Sequence, residues 1–347
     1  MTFFLSLFRS KIILTGSSIF LVVIYSLIIM ITPPILSLQT ENSENALKSI
    51  YLPMSAITPT YFILPPASAS SDFNFAAVGD WGCTPDTEKT IKNINSSSPE
   101  IILALGDLSY NDNSAKCWLD IIDPMADKTF IAFGNHESDS SQKLKDYMNY
   151  FKLDKQYYSF DYNNVHFMVM STELPYEESS KQYIFVNNDL SNASLDPDIK
   201  WIVVLHHNMQ YTSETNSGKG NRADKELRSL YHPLFSQYDV DLVLQAHNHN
   251  YQRSYPIEFN NDKPKKPIIT NKENNNNYYQ KPTGIVFATV GTGGVSIYDF
   301  KSQAQFISNQ YAGFGYLNIE IKDNGNTLYG TFYANDGTIK DEFTINK

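Results

Sequence analysis

The sequence predicts an α/β fold with largely buried sheets, and three observations carry that reading. Apolar, β-rich runs alternate with amphipathic, helix-patterned stretches through most of the chain, the arrangement of layered α/β domains. The C-terminal part changes to antiparallel strands punctuated by Asn-Gly and Asp-Gly turns. Aromatic side chains are plentiful, with 23 Tyr and 21 Phe among 347 residues, as suits β-rich packing. The length is enough for one large domain or two small ones with a sizeable core.

Taken in order, the chain opens with Arg9 and Lys11 ahead of Ile12 to Ile31, IILTGSSIFLVVIYSLIIMI, twenty residues without a charge. A helix of that length crosses a hydrocarbon core. It exceeds the apolar region of a secretory signal, and no small-residue cleavage pattern follows closely. Residues 1–36 therefore read as an uncleaved signal anchor, its positive flank inside, with the remainder membrane-anchored and extracytoplasmic. Cleavage would make the protein secreted instead. A Pro- and Ser-rich tether follows over 37–71. A single domain then spans 72–347. In it FNFAAVGD, IILALGD, TFIAFGNHE, VHFMVMST, KWIVVLHH and VDLVLQAH read as strands. DTEKTIKNIN and ADKELRSLYHPLFSQY read as amphipathic helices between them. Residues 258–282, rich in Asn, Lys and Pro, read as a solvated loop. GIVFATVGTGG and the closing segment read as strands, the latter with hairpin turns at Asn324-Gly325 and Asp336-Gly337.

A net charge of -10 argues against a nucleic-acid partner, because phosphate neutralisation needs a basic surface. Two cysteines, Cys83 and Cys117, are too few for a disulfide scaffold or a Cys-based zinc site. The chemistry lies elsewhere. Five apolar runs end on a metal-capable side chain: Asp80 in AVGDWG, Asp107 in LALGDLSY, Asn135 in AFGNHE, His206 in VVLHH, and His247 with His249 in QAHNHN. In open α/β sheets sites form beyond the carboxyl ends of strands, so residues distant in sequence can converge there. Alternate residues of an extended segment share a face, so His247 and His249 can point together. Taken singly, each motif has an ordinary structural reading as a turn, a cap or a polar strand end. The series does not.

The ordered series GDWG (79–82), GDLSY (106–110), GNHE (134–137), VVLH (203–206) and AHNH (246–249) resembles the calcineurin-like metallophosphoesterases and, within them, the purple acid phosphatases. The resemblance runs from about Phe73 to the C-terminus, through VGTGG (290–294) and GFGYL (313–317). It implies a four-layer αββα sandwich of two mixed β-sheets flanked by helices. Two residues direct it to the purple branch. Gly82 stands where other members carry a metal-binding His, and Tyr110, three residues beyond Asp107, offers a phenolate in its place. A phenolate is a hard anionic oxygen donor that favours trivalent iron.

The resemblance implies that Asp80, Asp107, Tyr110 and His249 hold Fe(III), and that Asn135, His206 and His247 hold a divalent ion, Zn, Fe or Mn, with Asp107 bridging. The chain departs from the family pattern at Ala246, where a Gly is usual, and at His207-Asn208, where a Pro often follows the ligand. It also lacks, in MQYTSETNSGKGNRAD, the substrate-facing histidines of plant-type members.

A dinuclear centre of this kind implies an acid phosphatase acting on small phosphate esters, with the metals clamping the phosphoryl group and furnishing a hydroxide. His136, adjacent to Asn135, is the first candidate to protonate the leaving group or contact phosphate, and His207 the second. Histidines that only orient their neighbours are the ordinary alternative. A phosphodiesterase or nucleotidase on the same site is a competing reading, as is a non-catalytic surface binding protein that keeps its metals for stability. Arg253 reads as structural, and His166 and His232 as core histidines. Cys83 and Cys117 flank the site, so a disulfide between them would tie two ligand loops together. Two unpaired thiols are the open alternative, and the oligomeric state is not legible.

Overall fold

A computed structural model of the protein describes residues 72–347, apart from 111–113, 218–222 and 272–276. The anchor and tether expected over 1–71 lie outside the described residues. Among the described residues no helix is long and apolar enough to cross a membrane. The expectation of a membrane-anchored, extracytoplasmic protein is corrected on that finding and is not carried further.

The strands expected from the apolar runs form. β1 (Phe73–Val78), β2 (Ile101–Leu105) and β3 (Thr129–Ala132) pair in parallel. Helix α1 (Pro85–Ser97) connects the first two, and α2 (Lys116–Ile122) follows β2. The start of α1 is written in its sequence. Thr84 accepts from the Thr87 N–H, Pro85 opens the first turn, and Asp86 and Glu88 sit at the positive end of the helix dipole. Its Thr87, Thr90, Ile91 and Ile94 face inward at helical spacing. The short α3 (Asn135–Ser138) and α4 (Ser141–Tyr150) come after β3.

β4 (Tyr158–Tyr162) forms an antiparallel hairpin with β5 (Val165–Val169), and β5, β6 (Trp201–Leu205) and β7 (Leu242–Gln245) run parallel. The crossovers are α5 (Lys181–Leu195) and α6 (Lys225–Gln237). β8 (Tyr251–Ser254) then turns back, β9 (Ile257–Glu258) pairs with β10 (Ile268–Ile269), and β11 (Tyr278–Gln280), β12 (Val286–Val290) and β13 (Ile307–Tyr311) follow. β14 (Gly315–Lys322), β15 (Thr327–Ala334) and β16 (Ile339–Asn346) make the antiparallel meander expected at the C-terminus. Asn324 (φ 54°) and Gly325 (φ 78°) turn its first hairpin, and Gly337 (φ 85°) its second. The solvated loop expected over 258–282 needs one correction. β11 adds in parallel to β16, and its Tyr279 is fully buried.

Two seven-stranded mixed sheets result, in the orders β11-β16-β15-β14-β1-β2-β3 and β13-β8-β12-β7-β6-β5-β4. They pack face to face. Phe75 of β1 meets Phe167 of β5 edge-on at 5.2 Å, and Tyr251 of β8 stacks on Phe332 of β15 at 4.1 Å. Along β5, β6 and β7, alternate residues divide between two cores. Val165, Phe167, Trp201, Val203, Leu205, Leu242 and Leu244 belong to the core between the sheets. Met168, Ile202, Val204 and Val243 pack with Val186 and Leu190 of α5 and Leu227 and Phe235 of α6. Such both-sided burial is why these strands read as continuous apolar runs. The fold is the four-layer αββα sandwich of two mixed sheets flanked by helices that the sequence implied.

Candidate metal centre

The site begins with backbone conformation at the strand ends. Asp80 (φ 60°), Asp107 (φ 49°) and His247 (φ 66°) all occupy the left-handed region, which costs a non-glycine residue roughly 1–3 kcal/mol. Each is held there by its neighbours. Asp80 N–H donates to the Gly106 carbonyl at 3.1 Å, and His247 N–H donates to Asp80 Oδ2 at 2.8 Å. Asp107 N–H donates to Glu137 Oε2 at 2.8 Å. Close approach also requires two glycines. A Cβ at Gly134 would collide with the Asp107 carboxylate, and one at Gly291 with Asp80.

Two groups of side chains share Asp107. In the first, the Tyr110 hydroxyl lies 2.9 Å from Asp80 Oδ1, 3.1 Å from Asp107 Oδ2 and 2.9 Å from His249 Nε2. His249 is aimed by its other nitrogen, which donates to the Ser296 carbonyl at 2.8 Å, and its ring stacks on Tyr298 at 4.1 Å. In the second, ligand atoms of Asp107, His207 and His247 all lie within 4.8 Å of one another. His207 Nε2 is 3.2 Å from both Asp107 Oδ2 and His247 Nδ1. Asn135 sits beside this group, where the N–H of the next residue, His136, donates to Asp107 Oδ1 at 2.9 Å.

Of the expected ligands, Asp80, Asp107, Tyr110, His247 and His249 are brought together and Asn135 adjoins them. His206 does not join them. Its ring is fully buried beside the backbone of Asn208 and outside this group. The reason is the two-residue period of β6 continued one step past its end. Trp201, Val203 and Leu205 face the other sheet and His207 follows them, while Ile202 and Val204 face the helices and His206 follows those. His207 thus stands among the donors where His206 was expected, and His206 takes neither position expected of the pair. His136, the other candidate, packs its ring 4.1 Å from Tyr110, with Nδ1 3.4 Å from Asp139 and Nε2 4.0 Å from Asp107.

The donors fit metal ions. Asn135 Oδ1 is a buried carbonyl with no donor among the described residues, a situation that costs about 1–3 kcal/mol and that a cation relieves. Two carboxylates and a phenol around Tyr110 suit a hard ion, and imidazoles with an amide oxygen suit a borderline divalent one. Protonation follows the geometry. Burial would raise the Asp107 carboxyl, but the His207 imidazolium outweighs it and holds Asp107 well below its ordinary range. The same pairing raises His207 against the opposing effect of burial. His247 is pushed down to about 4 by burial and by His207, leaving a neutral imidazole. Burial and the Asp80 and Asp107 carboxylates drive the Tyr110 phenol upward, so metal uptake must displace its proton.

Two further features bear on the site. Cys83 and Cys117 form a disulfide, joining the loop after β1 to the start of α2. Glu137, to which no role was assigned from sequence, is fully buried and accepts three backbone N–H groups. Its signal was present, because a Glu at the third position of a helix commonly reaches back to the cap, here Gly134.

With this geometry in hand, the sequence model of the calcineurin-like phosphoesterases matches residues 73–251. Purple acid phosphatase 22 of Arabidopsis thaliana is 30% identical over 252 residues, covering 67% of this chain and 52% of the relative. A protein named probable inactive purple acid phosphatase 1, also of Arabidopsis thaliana, is 27% identical, covering 75% and 45%. The chain thus spans about half the length of these curated relatives. The structure of a purple acid phosphatase from yellow lupin seeds superposes with a TM-score of 0.67 at 23% identity, over 82% of this chain and 56% of that one. That likeness concerns the fold.

Proposed function

Because the chain belongs to the calcineurin-like phosphoesterase family, we propose that it hydrolyses phosphate monoesters at a dinuclear centre of Fe(III) and one divalent ion, Zn, Fe or Mn. The observation that carries this reading is the pair of side-chain groups sharing Asp107, with the Tyr110 hydroxyl within 3.1 Å of Asp80, Asp107 and His249. Asp80, Asp107, Tyr110 and His249 would hold the trivalent ion. Asn135, His207 and His247 would hold the divalent one, with Asp107 common to both groups. Ions held there would supply Lewis-acid polarisation of a phosphoryl group and a more acidic water.

The chain's own residues supply the rest. Ser296 and Tyr298 fix the His249 ring, and the Leu105 carbonyl accepts from His207 Nδ1 at 2.8 Å, so that Nε2 faces the centre. His136, partly open to solvent beside Tyr110, donates a proton to the leaving oxygen. Likeness to purple acid phosphatases supports the trivalent ion, and the relative named as probably inactive makes turnover the point to test.

Hydrolysis of 4-nitrophenyl phosphate by the metal-loaded protein provides that test. Turnover that a chelator abolishes is the expected result. His136→Ala should lose most on substrates with poor leaving groups and least on activated aryl esters. A protein that binds both metals yet turns over no ester would instead support a metal-stabilised binding protein, and cleavage of diesters in preference to monoesters would reassign the substrate class.

A further inference from the structure

We propose that Glu137 is a positioning residue that fixes the distance between the two loops carrying Asp107 and Asn135, and so keeps both metal positions competent at once. The inference rests on the metal-centre reading above. Glu137 Oε2 accepts from Asp107 N–H at 2.8 Å and from Gly134 N–H at 2.9 Å, while Oε1 accepts from Leu108 N–H at 2.8 Å. One carboxylate therefore staples the loop after β2 to the loop after β3.

Asp107 and Leu108 present successive N–H groups to a single anion, the arrangement of a backbone anion nest. Asp107 holds its left-handed φ of 49° within that nest, which turns its side chain back toward His207 and Tyr110. Gly134, on the other loop, directly precedes Asn135. Moving either loop away from Glu137 separates the bridging carboxylate from the Asn135 oxygen.

The chemistry selects Glu over its isostere. All three partners are donors, and Glu137 is fully buried. Both carboxyl oxygens are taken up as acceptors, whereas a Gln would turn an N–H₂ toward at least one of these N–H groups.

The test titrates Zn(II) into the Fe(III)-loaded full chain, for wild type and Glu137→Gln, with far-UV circular dichroism as a check on folding. Supporting groups around a metal are worth about 10–100-fold in affinity. The folded variant should bind Zn(II) more weakly by about that factor. Equal affinity to within about two-fold in a folded variant overturns the inference. Where Glu137→Gln does not fold, hydrogen exchange on the wild type decides. Protected amides at Asp107, Leu108 and Gly134 in the metal-free protein support the staple, and exchange there at unprotected rates overturns it. A wild type that binds neither metal overturns the metal-centre reading together with this inference. A wild type that loads both, beside a variant that loads them equally, overturns this inference alone.

Discussion

His206 and His207 are neighbours in the chain and opposites in environment. Both are fully buried, yet His207 contacts Asp107, His247 and the Leu105 carbonyl while His206 meets the backbone of Asn208. Burial holds His206 down at about 4, so it is a neutral packing group. His207→Ala should therefore lose the divalent ion and at least about 100-fold in activity. His206→Ala should retain both metals and lose roughly 2–3 kcal/mol of stability through the cavity it leaves. Metal analysis and thermal melting of the two variants check this, and divalent loss in His206→Ala with retention in His207→Ala would reverse the assignment. The ambiguity was inherent in the sequence. VVLHH offers two adjacent imidazoles, and only knowledge of which face of β6 meets the other sheet separates them. Asp80 and Asp107 carried no such ambiguity, since each is the lone carboxylate directly after its apolar run, and His247 and His249, spaced by one residue, share a face.

Between elements, the disulfide and the His166 pair hold loops and strands that the apolar pattern leaves free. The Cys83–Cys117 bridge closes a sequence separation of 34 residues, which by loop-closure entropy is worth roughly 3–4 kcal/mol. Replacing both cysteines by serine should lower stability by that order and loosen the loops of Asp80 and Tyr110. Urea unfolding and metal retention read the two effects, and an unchanged midpoint would contradict the first. Sequence positioned these thiols beside the site but left their pairing open, because spacing along the chain carries no Cβ geometry. His166 lies on β5 as expected of a core histidine, yet it joins Asp161 at 2.6 Å and Asp189 at 2.8 Å. Burial alone would depress it, but these hydrogen bonds outweigh burial and raise it to about 9. A raised folded-state value stabilises the protein fully below the unfolded value of about 6.5, and the contribution fades as pH rises through about 9. His166→Gln should then cost about 2 kcal/mol near pH 6, allowing for the exposed Asp161, and much less near pH 10. A gap between wild type and variant that widens with pH would refute the charged state of His166.

At the scale of the whole molecule, a buried ion pair pins one sheet to the other. Arg253 of β8 donates through Nε to Asp341 Oδ2 at 2.6 Å and through Nη2 to Oδ1 at 3.0 Å, across to β16. Tyr251 adds a bond to the same carboxylate at 2.7 Å. Removing one member of such a pair leaves an uncompensated charge and typically costs about 3–5 kcal/mol. Asp341→Ala should accordingly lower the melting temperature by on the order of 10 °C while sparing metal content; a shift of under about 2 °C would deny the pair that role. The layered fold was legible because strands buried on both faces read as apolar runs and the meander carried its own turn residues. β11 and β8 were not, since a three-residue strand inside an Asn-rich stretch, and YQRS with its buried Arg, lack an apolar pattern. What the two sheets position is the cluster of donors proposed to hold two ions, and Tyr110 tests that proposal directly. Loading the full chain with Fe(III) and one divalent ion, and recording metal content beside the visible spectrum, tests the account for wild type and Tyr110→Phe. The account predicts two metals per chain and a coloured wild type, from phenolate-to-iron charge transfer, with the band absent in the variant while its fold persists. An iron-loaded wild type without a visible band, or a Tyr110→Phe variant that keeps one, would contradict it.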